Sequence, residues 1–340
     1  MRSVQIGPNE AGQRLDKFLH KYMREAPGSF FYKMMRKKNI VLNGGRCTGS
    51  EKLALGDCVK LFLAEETLEK FGAPPALPEK GQGQGDGAGI VLPEYDKAFR
   101  QLTGIRVLYE DADILALDKP AGVLSQKAAP GDLSANEWLT GYLLQGKALK
   151  PEALVTFRPS VCNRLDRNTS GLLLCGKSLA GSQRLTGLIR ERRVGKFYQA
   201  VLAGWREEPG ELTAWLKKDE KRNRVYLSDR PAEGAEQIRT GFVPLRLGSL
   251  PGVGKVTWGE VQLFSGKTHQ IRAHLAWLGH PLLGDPKYGN PELNRALAQR
   301  CGVRRQLLHA CRAEFPPGEG LPEQIICPLS PDFAGVIGQL

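Results

Sequence analysis

Asn163-Arg164-Leu165-Asp166-Arg167-Asn168-Thr169-Ser170-Gly171-Leu172, continued by Leu173-Leu174-Cys175, sets one aspartate between two arginines, ahead of a Thr-Ser-Gly turn and an apolar run. Bounded by turn residues and rich in leucine, the run reads as a buried strand. A carboxylate placed there is either neutralised by its neighbours or used. Two more segments bear on the choice. One is Lys196-Phe197-Tyr198-Gln199-Ala200-Val201; the other is Ser265-Gly266-Lys267-Thr268-His269-Gln270-Ile271-Arg272-Ala273-His274-Leu275.

Working outward, 340 residues leave room for two domains. No stretch reaches the apolar length that spans a bilayer, and the N-terminus lacks the apolar core of a signal peptide, so a cytoplasmic protein without membrane partners is expected. The seven cysteines include no C-x-x-C pair, which favours neither a zinc ribbon nor a disulfide framework. His269 and His274 lie five apart, off a shared helical face, and no metal site is expected. The formal net charge of +12 points to a polyanionic partner, nucleic acid before membrane.

Three segments follow from pattern. In residues 1–66, Leu15, Phe18, Leu19, Tyr22 and Met23 have helical apolar spacing. A second helix is expected over Phe30–Lys38, capped by Ser29 and ending in Arg36-Lys37-Lys38. Ile40-Val41-Leu42 then meets the turn pair Asn43-Gly44, and a strand is expected over Cys58–Leu63. A basic helix end beside a small hairpin sheet is read as an RNA contact. Residues 67–104, rich in glycine and proline, are expected to be a flexible linker. Residues 105–340 alternate strands with a few helices, including a capping box at Ser134-x-x-Glu137 and a helix His269–Leu278 closed by Gly279. A strand Leu307–Glu314 is expected to complete the domain. Strands this close in sequence predict an α+β fold with a mixed, largely antiparallel sheet.

Asp166 is the candidate nucleophile or base. An ionised carboxylate needs cations nearby and little desolvation. Arg272, on a helix after a glycine turn, is the candidate ion-pair partner, since a planar guanidinium holds a carboxylate in one orientation. Tyr198 offers a flat face for stacking on a base and a hydroxyl for hydrogen bonding. Arg164 and Arg167 are expected to serve RNA, one of them entering the space a base vacates. Lys196, Lys267 and Thr169 are further candidates for RNA contact. His269 and Gln270 are expected either to touch phosphate or to orient the loop, and His274 and His280 to serve packing.

Taken together, these motifs and their order resemble the RluA family of pseudouridine synthases, and within it the S4-bearing, large-subunit rRNA enzymes of the RluC and RluD kind. Asp118-Lys119-Pro120-Ala121-Gly122, Gly284-Asp285-x-x-Tyr288-Gly289 and Leu308-His309-Ala310 fit as well. The resemblance covers most of the chain. It implies an N-terminal S4-type RNA-binding domain, a pseudouridine synthase catalytic domain, and isomerisation of uridine by breaking N1–C1′ and rejoining through C5, without cofactor or metal. It also implies that Asp166 is the catalytic aspartate, that Tyr198 stacks on the target base, that Arg272 pairs with Asp166, and that Arg164 helps flip the uridine. Large-subunit rRNA is the implied substrate and a monomer the implied state. Small-subunit rRNA, tRNA and a non-catalytic assembly role are the alternatives. The chain departs from the family at Asn163, where many members carry histidine, and at Lys267, where arginine is common.

Overall fold

The computed structural model describes residues 1–73 and 93–340. They fall into two compact units: Met1–Gln101 with Glu137–Ser160 and Gly176–Gln183, and Leu102–Asn136 with Val161–Cys175 and Arg184–Leu340.

The first unit opens with β1 (Arg2–Gln5), α1 (Leu15–Tyr22), α2 (Gly28–Arg36), β2 (Ile40–Leu42) and β3 (Cys58–Leu61). The strand β1 is not foreseen by apolar pattern. It pairs with β3, which pairs with β2 on its other edge, giving a three-stranded sheet. The expected face of α1 is inside: Leu15, Phe18, Leu19, Tyr22 and Met23 are all buried. The second helix is shifted from its expected bounds. Pro27, extended at φ −68 and ψ 148, is its N-cap, and Ser29 lies inside the first turn, where its hydroxyl cannot cap. It stops early because Lys38 turns left-handed at φ 60, with Lys38 N–H on Met35 O and Asn39 N–H on Met34 O. Arg36, Lys37 and Lys38 are exposed at that end. Asn43 and Gly44 adopt φ of 51 and 75, the left-handed pair of a tight hairpin turn.

Part of the expected linker is helical. Here α3 (Glu65–Lys70) buries Leu68 in the core of this module, and α4 (Pro93–Gln101) ends the segment. The Gly/Pro-rich run 74–92 lies outside the described residues.

The second unit is built on β4 (Arg106–Glu110), β5 (Ile114–Lys119), β6 (Ser160–Val161), β7 (Ser170–Gly176), β8 (Gly195–Ala203), β9 (Gly210–Asp219), β10 (Arg224–Ser228), β11 (Glu236–Leu250) and β12 (Gly254–Leu263), then β13 (Leu308–Glu314) and β14 (Gln324–Ile326). In the chain between them run α5 (Ala135–Gln145), most of which belongs to the first unit, α6 (Leu179–Arg190), whose first residues do too, α7 (Gln270–Trp277), α8 (Pro291–Cys301) and a terminal α9 (Pro331–Ile337). The main sheet has the order β10-β9-β11-β12-β8-β13-β7-β5-β4. Its pairings from β10 to β13 are antiparallel, as is β4 with β5, while β13 joins β7 in parallel. This is the expected mixed, largely antiparallel sheet.

The parallel join decides where Asp166 sits. Gly171 has φ +113, and a Cβ on it would lie 2.2 Å from Ala310 O. Only glycine lets β7 approach β13 there, so the loop before β7 is fixed inside the sheet, between β13 and β5. Beyond Glu314, where no further element is expected, α9 packs Phe333 and Val336 against Val201, Leu250 and Leu307. No helix among the described residues is long and apolar enough to cross a membrane.

Candidate active site

Asp166 lies in the loop ahead of β7, and that loop is pinned from both ends. Ser125 Oγ donates to Leu165 O and accepts Leu165 N–H, both at 2.9 Å. Thr169 N–H bonds Asp166 O at 3.0 Å, and Gly122 N–H bonds Arg167 O at 2.9 Å. Asn163 clips onto β7, accepting Leu174 N–H at 2.8 Å and donating to Leu172 O at 3.3 Å.

Lys119 is the strongest of these pins. Fully buried, it donates to Pro120 O at 2.9 Å, Val123 O at 2.8 Å and Arg167 O at 3.2 Å. Burial and the charge of Arg305 pull its pKa down to about 7, against the pull of Asp166 and Asp118. Sequence reasoning took Asp118-Lys119-Pro120-Ala121-Gly122 only as a matching motif, without a role for Lys119.

Arg272 projects from α7 and bridges two carboxylates. Its Nη1 donates to Asp166 Oδ2 at 2.7 Å, while Nε and Nη2 hold Asp285 Oδ2 and Oδ1 at 2.7 and 2.9 Å. Burial opposes the charge on Arg272, but both carboxylates outweigh it and raise its pKa above the usual guanidinium value. Burial also works against ionised Asp285; Arg272 and the N–H groups of Lys287 and Tyr288 prevail and hold its carboxyl low. Asp285 is fully buried. Its role escapes sequence reading, where it figures only as part of a matching motif. Asp166 stays partly exposed, and its Oδ1 has no protein partner among the described residues.

Tyr198, on β8, is buried and lines the same cleft, of about 760 Å³. Burial first, then the charge of Asp166, pushes its phenol pKa up, so the hydroxyl stays neutral. Nine basic side chains line this cleft, namely Lys127, Arg164, Arg167, Arg190, Arg192, Lys196, Lys218, Lys267 and Arg272, against the single carboxylate of Asp166.

The remaining candidates divide. Arg164 is exposed in the cleft and makes no ion pair among the described residues. Arg167 is exposed, with Nε on Gly122 O at 3.2 Å. Lys196 is half-buried, its pKa lowered by burial and by Arg192. Lys267 pairs with Glu236. His269, left-handed at φ 54, caps α7 and bonds Tyr288 OH through Nδ1 at 3.0 Å.

Two candidates line the cleft but commit their side-chain polar atoms to partners within the protein. Gln270 is buried and its amide is saturated: Oε1 accepts from Ser265 Oγ and Lys267 N–H, and Nε2 donates to Arg239 O and Thr240 Oγ1. It orients the loop. Thr169 is also buried, its hydroxyl accepting from Gln306 Nε2 at 3.2 Å. Arg36, Lys37 and Lys38 belong to the first unit.

His274 is fully buried against Thr240 Oγ1, and burial, with Arg206, lowers its pKa to about 4. An unfolded histidine takes its proton near 6.5, so between those values the unfolded chain binds more protons than the folded one. The stability tied to neutral His274 is therefore complete above 6.5 and is lost as pH falls towards 4. Urea unfolding at a series of pH values should show a loss on the order of 2–3 kcal/mol over that window, flattened in His274→Gln. An unchanged slope in the variant would assign the acid sensitivity elsewhere.

With this geometry in view, the likeness to known proteins is specific. A family model described as RNA pseudouridylate synthase matches residues 113–277. The ribosomal large subunit pseudouridine synthase C of Escherichia coli (strain K12) is 30% identical over 337 residues, covering 97% of this chain and 93% of that one. Its namesake from Vibrio vulnificus (strain CMCP6) is 29% identical, covering 99% and 96%. Among solved structures, human RNA pseudouridylate synthase domain containing 4 aligns with TM-score 0.56 at 21% identity, over 73% of this chain and 97% of that one. Domain containing 1 aligns with TM-score 0.53 at 24% identity, over 68% and 85%. Those two show the pseudouridine synthase fold. The chain belongs to the RluA family of RNA pseudouridylate synthases.

Proposed function

We propose that this enzyme converts specific uridines of large-subunit rRNA to pseudouridine, the substrate named for its curated relatives. The observation that carries the reading is the cleft itself: one carboxylate, held by a buried arginine, among nine basic side chains. Cations in that number suit a phosphate backbone, and the cleft volume suits a single extruded nucleotide. Arg164 takes the place of the flipped uridine and Tyr198 stacks on the base. Asp166, with one oxygen fixed by Arg272, presents the other to the ribose C1′ region. The N1–C1′ bond breaks, C5 bonds to C1′, and the C5 hydrogen leaves to solvent while N1 gains a proton. Lys196, Lys267, Arg167 and His269 surround the RNA strand.

In this proposal residues 1–66 form an S4-type RNA-binding domain, 67–104 a connector and 105–340 the catalytic domain of a cytoplasmic monomer. Incubating the purified protein with transcribed large-subunit rRNA carrying tritium at uridine C5 tests the reaction. Tritium release is expected, with reverse-transcription mapping to give the site. No release from this RNA, with release from small-subunit rRNA or tRNA, would reassign the substrate.

The N-terminal contact has its own test. Replacing Arg36, Lys37 and Lys38 together by alanine should weaken RNA binding about tenfold or more and lower the slope of log affinity against log salt by about 2–3. Equal slopes for variant and wild type would remove this cluster from the interface.

A further inference from the structure

We infer that Tyr288 is a positioning residue that ties the basic β9–β10 hairpin to the Arg272–Asp166 pair, so that RNA lying on the hairpin sets the aim of the catalytic arginine; this rests on the proposed RNA-modifying reading. The hairpin turn, Asp219 to Arg224, carries Lys221 and Arg222, with Lys218 just before it. Lys218 and Asn223 line the catalytic cleft. The same turn is bolted to the loop that holds Arg272. Lys287 Nζ donates to Asn223 O at 2.6 Å, and Arg224 Nη2 donates back to Lys287 O.

Tyr288 stands between the two. Val225 N–H on β10 donates to its hydroxyl oxygen at 3.0 Å, and that hydroxyl meets His269 Nδ1 at 3.0 Å. With the oxygen already accepting, the hydroxyl proton is donated to Nδ1, and neutral His269 carries its own proton on Nε2. Burial lowers the His269 pKa, in keeping with the neutral ring. His269 is the N-cap of α7, three residues before Arg272. The ring of Tyr288 also lies 5.4 Å from the Arg272 guanidinium and 5.2 Å from that of Arg224. Beneath these contacts, Val225, Leu216 and Ala273 share a small apolar core with Tyr288 packed against it. Hairpin, loop and catalytic helix thus meet at Tyr288, whose hydroxyl and ring touch all three.

Tyr288→Phe keeps the ring and removes the hydroxyl; Arg224→Met removes the guanidinium and keeps its stem. In single-turnover tritium release from wild-type-saturating RNA, each variant should slow the chemical step about 10- to 100-fold, the scale of a small misplacement. Melting temperature and the RNA Kd of Tyr288→Phe should stay near wild type. The double variant should be slowed by less than the product of the two single effects, because both changes act on one link. Multiplying effects, or a wild-type rate in Tyr288→Phe, would overturn the inference. Amide hydrogen exchange on the free protein decides the linkage without reference to activity. Tyr288→Phe should speed exchange about tenfold at Val225 and also in the first turn of α7. A change confined to Val225 would overturn the linkage even if wild type released no tritium, an outcome that would itself defeat the reading of the reaction.

Discussion

Asp166→Asn should release tritium from C5-labelled rRNA at least about 10³-fold more slowly than wild type while binding the RNA within about threefold of its affinity. The amide is isosteric, so its oxygen still accepts from Arg272 Nη1, and the loop keeps the pins at Ser125, Gly122 and Lys119. What vanishes is the negative charge at the one carboxylate among the cleft's cations. The change therefore separates chemistry from binding. RNA affinity comes from phosphates meeting basic side chains, and removing an anion from their midst does not weaken that attraction. Asp166→Ala should be equally inactive; it also frees Arg272 from one partner and is the less clean variant. Asn activity above about a tenth of wild type would exclude Asp166 as the group acting at C1′ and shift attention to the remaining cleft residues.

How much of this was legible beforehand depended on sequence distance. The inward face of α1, the turn at Asn43-Gly44 and the run Leu172–Cys175 come from local pattern, and each stands in the fold. The Asp166 loop could be singled out because a charged residue beside a buried strand demands a partner. Which partner is a question of tertiary distance. Arg272 lies 106 residues from Asp166, and Asp285 completes the bridge 13 residues further on; no periodicity relates them. The roles of Thr169 and Gln270 could not be fixed from sequence for a related reason. Polar residues in a functional motif look like ligand contacts until their hydrogen bonds are traced, and here Gln306 and the Ser265–Thr240 shell occupy them. The strand β1 and helix α9 escaped because they are short and acquire their stability from packing on elements distant in sequence.

Asp285→Asn should lower stability by about 3–5 kcal/mol, the usual cost of removing one partner from a buried pair. Arg272 is nearly buried, and in wild type it spends Nε and Nη2 on the two oxygens of Asp285. The amide can accept only one of these bonds, and its NH2 faces a donor. The guanidinium, whose charge is firmly held, is then left under-neutralised where water cannot reach it. Asp285 Oδ1 also accepts the N–H groups of Lys287 and Tyr288, so the loop between α7 and α8 that carries Tyr288 loosens with it. For a catalytic unit of this size the melting temperature should fall by roughly 6–20 °C. The acid limb supplies an internal check. The folded pKa of Asp285 lies below its unfolded value, so its contribution is complete above the ordinary carboxylate range and is lost as pH falls through the lowered folded value. The gap between wild type and Asp285→Asn should therefore be widest near neutral pH and narrow on strong acidification. A variant within about 1 kcal/mol of wild type at pH 7 would mean that Arg272 recruits water or Asp166 for both lost bonds, and that Asp285 does not hold the catalytic pair.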